Sequence, residues 1–328
     1  MTIEVLNSGL ETSIQDFPGR IGYLEQGFPQ SGPMDTRSFR LANLLVGNDA
    51  SSAALECQYI GPKLKFHENK LISVTGAFME PKINGEVIKN YQTYEIKKNQ
   101  ILSLSFARNG VRSYISISGG INSPLILGSR STFHQAGIGG VSGGAIKVGD
   151  FLKIFHSKCK NKFFLPEIYH TPIQKKDVME IEVILGPNDD WISKEGHSIF
   201  FNSLWILSVK SNRTGLRLEG PELKFSKKAF DKPNEHGQDP SNILDHGYPL
   251  GAINLAGQTP IILVNDGPTA GGFINPYTVP SSSFWKLAQA EPRQKIKFKK
   301  ITIEEAINNR INENKLCTKK NLKILSNC

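Results

Sequence analysis

A chain of 328 residues, 39% hydrophobic and 21% charged, is longer than a usual single domain and has too ordinary a composition for a disordered or fibrous protein. No run approaches the roughly 18 consecutive apolar residues of a membrane span, and the start, Met1-Thr2-Ile3-Glu4-Val5, lacks a basic segment leading into an apolar one, so a cytoplasmic protein without a membrane role is expected. The net charge of +9 does not point to nucleic acid: residues 293–328 hold ten Lys/Arg against three acids, a net +7, and a single aromatic residue, Phe298, is too few for a base-stacking stripe.

In chain order, two Pro/Gly-rich turns come first, Gln15-Asp16-Phe17-Pro18-Gly19-Arg20 and Gly27-Phe28-Pro29-Gln30-Ser31-Gly32-Pro33-Met34-Asp35. Asp35 then reads as the N-cap of a helix over Asp35–Val46, with Phe39, Leu41, Leu44 and Leu45 on its apolar face. Backbone amides at that helix start can hold an anionic or carbonyl group, or these residues only make loop and cap. Short apolar runs follow at Leu71–Thr75, Ile101–Phe106, Arg112–Ser118 and Phe151–Phe155. Others lie at Glu180–Leu185, Trp205–Val209 and Pro260–Val264, all separated by Gly, Pro, Asn and Ser, the pattern of a β-rich fold with few helices.

Residues 156–178 lose strand patterning and are read as a link between an N-terminal β domain, 1–160, and a C-terminal one, 178–308. Gly61-Pro62-Lys63-Leu64-Lys65-Phe66 reappears as Gly220-Pro221-Glu222-Leu223-Lys224-Phe225, an echo that two related barrel-like halves would leave. Thr302 and Glu305 form a capping box ahead of a helix over Ile303–Ile311. The basic tail, 309–328, is read as a solvated face or loose end, or as a dock for an acidic partner.

Three motifs invite chemistry. Gly140-Val141-Ser142-Gly143-Gly144 fits G-x-S-x-G in letters, but a turn and a strand follow it where a nucleophile elbow needs a helix. The run from Gly137 to Gly144 is likewise no P-loop, since no Gly-Lys-Ser/Thr closes it. The richest cluster joins Ser211-Asn212-Arg213, Asp239-Pro240-Ser241-Asn242-Ile243-Leu244-Asp245-His246-Gly247-Tyr248 and Asn265-Asp266-Gly267-Pro268-Thr269-Ala270-Gly271-Gly272-Phe273. Asp266 ends an apolar run and opens a turn, where a strand can hold a carboxylate rigid and accessible. Asn, Asp and Arg supply the paired donors and acceptors that an amide or ureido group requires, although such residues also satisfy turn backbones. His236 and His246 with Asp239 and Asp245 match no metal-site spacing, and Cys57, Cys159, Cys317 and Cys328 show no CxxC pairing, so free thiols and no metal are expected.

On TSIQDFPGRIGY, GFPQSGPMD, FRLANLLVGN, SYISISGGI, LGSRSTF, SNRTGLRLEGP, DPSN, GAINLAGQTPIIL and DGPTAGGF, the chain from about residue 3 to 308 resembles a known group. It is the biotin-dependent carboxyltransferase-like family, which includes allophanate hydrolase subunit 2, part of the urea carboxylase carboxyltransferase domain, and the C subunit of 5-oxoprolinase. The resemblance implies a mostly β, cyclophilin-like barrel architecture and a partner of the allophanate hydrolase subunit 1 type. It also implies biotin presented in trans on a separate carrier, since no lysine here is flanked by methionines, and ATP used elsewhere in the assembly by a biotin carboxylase. By the same resemblance Asp266, Asp245 and Asn242 position or deprotonate a small amide or urea-type substrate. Arg213, Asn212, Thr269, Gly271 and Gly272 hold charge or substrate, and Gln15, Asp16, Ser31 and Asp35 line a second wall. Two other functions stay open: the C subunit of a 5-oxoprolinase, working with a lactamase-type partner, and a regulator that binds a subunit 1-like protein without turnover.

Overall fold

The computed structural model describes residues 2–325, and the chain forms two compact units. The first takes the chain up to Ile21, Ser31–Lys175 and the chain from Asn312 onward; the second takes Gly22–Gln30 and Lys176–Ile311. Neither unit is continuous in sequence. Both are built mainly from strands, as the turn-rich pattern requires.

In the first unit two sheets pack face to face. One runs in the order Phe151–Lys153, Thr2–Asn7, Lys63–Phe66, Ile101–Ser103, Lys82–Ile83, Glu86–Val87; the other runs Glu11–Gln15, Ala54–Gln58, Arg112–Ile117, Lys70–Gly76, Thr93–Ile96. Ile3, Val5, Leu64, Phe66, Leu102 and Leu152 from the first sheet meet Leu55, Ile72, Val74, Ile115 and Ile117 from the second in one core. The strand Thr2–Asn7 alternates accordingly, Ile3 and Val5 inward and Thr2 and Glu4 outward. Arg112–Ile117 is buried along its whole length because its other face is covered as well. That cover is the helix Thr36–Leu45, whose Phe39 meets Tyr114 edge-on at 5.9 Å and whose Leu41 and Leu45 are fully buried. Each such side chain contributes about 1.5–3 kcal/mol by leaving water.

The second unit centres on a closed barrel of seven strands in the order Val178–Leu185, Tyr277–Thr278, Ala252–Ala256, Thr259–Leu263, Gly215–Glu219, Trp205–Leu207, Lys295–Lys300. Closure leaves no exposed sheet edge. It is completed by the parallel pairing of Val178–Leu185 with Lys295–Lys300; the other pairs are antiparallel. Lys295, Lys297 and Lys299 point out while Ile296 and Phe298 point in, so much of the basic charge near the C-terminus is the solvated face of one strand. Phe200, on the helix Lys194–Asn202, stacks between Tyr277 at 3.8 Å and Phe298 at 4.6 Å. Outside the barrel stands a two-stranded flap, Asn242–Gly247 paired with Ala270–Phe273.

All seven apolar runs contain a strand, and both helices form with the caps read from sequence. Ser38 N donates to Asp35 Oδ1 at 2.9 Å, and Thr302 N donates to Glu305 Oε2 at 2.7 Å to close the reciprocal capping box. Two readings need correction. The terminal segment is no loose end as far as Leu325: the helix continues to Leu316, Cys317 is buried with Leu41 and Leu165, and Lys323–Ile324 pairs with Phe163–Phe164. The echo has no common element, since Lys63–Phe66 is a sheet strand whereas 220–225 forms a single bridge, Phe225 to Ile192. Cys57, Cys159 and Cys317 are free thiols, with burial pushing Cys317 up to about 11; Cys328 lies outside the described residues.

Candidate functional site

The two polar clusters read from sequence lie in different units. In the first unit, Asp16 follows the strand Glu11–Gln15 and is half-buried. Its carboxylate accepts Ser129 Oγ and Ser131 Oγ, both at 2.5 Å, and Arg130 N at 2.7 Å. Arg20 is 1% exposed and donates to Ser131 O at 2.8 Å and to Ser31 Oγ at 3.3 Å. Gln15 is fully buried and donates to Ser13 Oγ at 2.9 Å. Asp35 is fully buried, with its two carboxylate oxygens on Ser38 N and Ser38 Oγ. Its own backbone N–H donates to Tyr114 Oη at 2.8 Å, and that phenol donates to the buried Glu56 at 2.7 Å. Of the four residues read as a substrate wall, Asp16, Ser31 and Asp35 are thus engaged in holding turns and a helix start, while Gln15 is held through its amide nitrogen and leaves Oε1 buried without a partner.

The glycine-rich run folds back on the Ser129–Thr132 segment. A side chain at Gly139 would lie 1.9 Å from Ser131 O, and one at Gly143 as close to Gly137 O; both residues have positive φ. Gly143 N donates to Gly139 O within the loop, and no helix follows. The loop therefore packs closely on its neighbour and lacks the following helix whose N-terminus a P-loop uses to hold phosphate.

In the second unit, Arg213 and Asp266 form a two-pronged ion pair, Nε to Oδ2 at 2.8 Å and Nη2 to Oδ1 at 3.4 Å. Their side chains are 6% and 4% exposed, so Asp266, expected to be rigid and accessible, is rigid and buried. The same two residues are tied through the backbone, Asp266 N to Arg213 O at 2.8 Å. Asn212 is a turn former whose Oδ1 accepts Thr214 N at 2.8 Å. These contacts pin the loop from which the second flap strand departs.

The DPSN segment launches the first flap strand. Asp239 accepts Ser241 N at 2.8 Å and Ser241 Oγ at 2.7 Å, which hold its carboxyl below the usual range. Lys232 donates to the carbonyls of Asp239 and Asn242, the latter at 2.7 Å, and its ammonium lies 5.7 Å over the Trp191 ring. Burial lowers its pKa. On the flap, Asn242 is half-buried and Asp245 is exposed. A side chain at Gly272 would come within 3.1 Å of Asp245 Oδ1, and one at Gly271 within 2.9 Å of the Tyr248 ring. Tyr248 fastens the flap: its hydroxyl receives Phe273 N at 2.6 Å, and its own backbone N–H donates to Thr269 O at 2.8 Å. Gly271 and Gly272 therefore serve close packing; Asp245 faces solvent, as does Asp239, whose carboxylate is already engaged by Ser241.

Sequence reasoning passed over Lys232, Asn254 and Asn275, and included Tyr248 in the cluster without giving it a role. For Asn254 a signal existed, a lone amide inside the apolar strand Ala252–Ala256. For Lys232 none did, because its partners are backbone carbonyls. Among the described residues no cluster of His, Cys, Asp and Glu could hold a metal, and no helix is long and apolar enough to cross a membrane.

Against known proteins, residues 26–300 match the family model described as "Carboxyltransferase domain, subdomain A and B". The chain is 38% identical over 312 residues to urea amidolyase of Saccharomyces cerevisiae, covering 93% of this chain and 17% of that one. It is 31% identical to the C subunit of 5-oxoprolinase from Escherichia coli, covering 93% of each. The crystal structure of urea amidolyase from K. lactis superposes with a TM-score of 0.92 at 37% identity over 96% of this chain and 20% of that one. The chain thus spans about one fifth of the urea amidolyases it matches.

Proposed function

The chain belongs to the carboxyltransferase domain family, subdomains A and B, and from that premise we propose that it is the carboxyl-accepting part of a urea-carboxylase-type assembly. The observation that carries this reading is the 0.92 TM-score to urea amidolyase over nearly the whole chain. Carboxybiotin, brought by a separate carrier protein, would supply the carboxyl group. This chain's residues would bind the amide or urea-type acceptor and take the proton its nitrogen gives up as the new N–C bond forms.

Asp245 is the residue we assign to that proton: it is an exposed carboxylate on a flap whose position is fixed from both ends. Asn242, at the base of the same strand, would orient the acceptor amide, and Thr269, Gly271 and Gly272 would frame the opposite strand. Arg213 and Asp266 act as positioning residues, since each neutralises the other. Gln15, Asp16, Ser31 and Asp35 support the first unit. ATP use is assigned to a biotin carboxylase partner, with a subunit 1-like protein completing the transfer site.

A second reading makes the chain the C subunit of a 5-oxoprolinase with a lactamase-type partner, favoured by the match over 93% of the bacterial protein. Affinity purification of the chain from its native extract, probed for covalent biotin, separates the two. A biotinylated carrier, with bicarbonate-dependent ATP hydrolysis stimulated by urea, supports carboxyl transfer. ATP hydrolysis stimulated by 5-oxoproline in a biotin-free complex overturns it.

A further inference from the structure

Two adjacent contacts of the barrel enclose a bulge. Ile253 pairs with Tyr277, while Leu255 N donates to Ile274 O at 3.2 Å. One residue, Asn254, therefore stands opposite two, Asn275 and Pro276. Bulges re-aim side chains and recur next to active sites. Asn254 shares its face of the strand with Ala252, and Ala252 packs with Tyr248 and Leu263, so the amide lies on the side that Tyr248 covers. Asn275 lies two residues beyond the end of the flap strand Ala270–Phe273.

Both side chains are buried, Asn254 at 3% and Asn275 at 0% exposure. Among the described residues, Asn254 Oδ1, Asn275 Oδ1 and Asn275 Nδ2 have no hydrogen-bond partner. The backbone of Asn275 is by contrast in use, its N–H on Asn188 Oδ1 at 2.8 Å and its carbonyl accepting Asn188 N at 3.3 Å. Buried amides are nearly always satisfied, and leaving one unpaired destabilises a fold. Two orphans at facing backbone positions, offering two acceptors and one donor, complement a group with two N–H donors and one carbonyl.

We propose that Asn254 and Asn275 form a binding site for a small planar group bearing N–H donors and a carbonyl: a urea, a lactam or a cyclic ureido ring. This inference rests on the carboxyltransferase reading for the choice of probes, since the same chemistry occurs in an acceptor substrate and in the ring of biotin.

The test is saturation-transfer NMR on the full chain with N-methylurea, 5-oxoproline and biotin methyl ester as separate probes, for the wild type, Asn254→Leu and Asn275→Leu. Melting temperatures of the free proteins are measured in parallel. At least one probe is expected to bind the wild type and to lose at least about tenfold in affinity in Asn254→Leu, the equivalent of one or more hydrogen bonds. The melting temperature of that variant is expected to hold or rise, because an orphan acceptor has been removed. N-methylurea alone identifies an acceptor site, biotin methyl ester a cofactor site, 5-oxoproline a lactam site. Failure of all three probes, binding that persists in Asn254→Leu, or a sharp drop in its melting temperature, which marks amides satisfied by internal water, overturns the proposal. If Asn275→Leu does not fold, Asn254→Leu decides alone. Probe binding without carboxyl transfer would remove the functional reading and leave the site standing.

Discussion

The turn around Asp16 in the first unit and the flap of the second use the same side chains, Asp, Ser, Asn, Gln and Arg, on similar Gly/Pro-rich loops, yet they end in different states. Asp16 has three donors on its carboxylate, Asp35 has both oxygens on a helix start, and Arg20 bridges two segments. On the flap Asp245 faces solvent, and elsewhere in the same unit two asparagine amides are buried without partners. Polar composition alone does not separate scaffold from site; whether a carboxylate is already engaged separates Asp16 and Asp35 from Asp245.

The comparison can be broken most forcefully at the one part of the second cluster that resembles the first. Asp266→Ala leaves Arg213 charged and buried, so it should cost about 3–5 kcal/mol. All three tryptophans, Trp191, Trp205 and Trp285, lie in the second unit, so denaturant unfolding followed by tryptophan fluorescence reports that loss directly. An unchanged midpoint would mean the pair is not structural.

Asp16→Ala should cost about 2–3 kcal/mol, since it removes three hydrogen bonds to a charged acceptor from a half-buried site. Hydrogen exchange at the Arg130 and Ser131 amides should accelerate; protection equal to wild type would show that the carboxylate is dispensable. Asp35→Ala should cost about 1–2 kcal/mol as the loss of a helix cap, read from the thermal midpoint of the first unit, with Asp35→Asn recovering most of it.

A smaller effect is pH-dependent. Burial lowers the pKa of His170, which stacks on Tyr91 at 3.8 Å and bonds Leu165 O at 2.8 Å. The unfolded chain then takes the proton more readily than the folded one, so stability falls as pH drops below about 6.5 and continues to fall toward the lowered folded value. His170→Gln should flatten that slope; an unaltered slope would assign it to other groups. Asp245→Asn should shift stability by less than about 0.5 kcal/mol while slowing carboxyl transfer about a hundredfold or more. Full activity in that variant would place the proton acceptor elsewhere.

Much of the fold was legible because it follows from local periodicity. Ile3 and Val5 alternate inward, Asp35 and Thr302 announce helices, and the apolar runs end at turn residues. The candidate site was legible only as composition. Whether Asp266 is free or paired depends on Arg213, fifty-three residues away, and whether Asn254 is satisfied depends on a bulge formed by a strand that follows a separate hairpin. The tail misled because its Lys and Asn residues read as solvated, while Cys317 and Leu322, which anchor it, are two apolar residues in a polar stretch.

The return of residues 312–325 to the first unit bears on how the protein is made. The core around Leu41, Tyr91 and Leu165 includes Cys317, with Leu322 packed against it, so the unit whose sheets are translated first cannot finish until these late residues have left the ribosome. At about 5–20 residues per second, that leaves its helix Thr36–Leu45 partly uncovered for roughly 15–60 s. During that interval the nascent chain is a client for chaperones, and a ribosome stalled shortly before residue 312 would release a protein with an intact barrel and an open N-terminal unit.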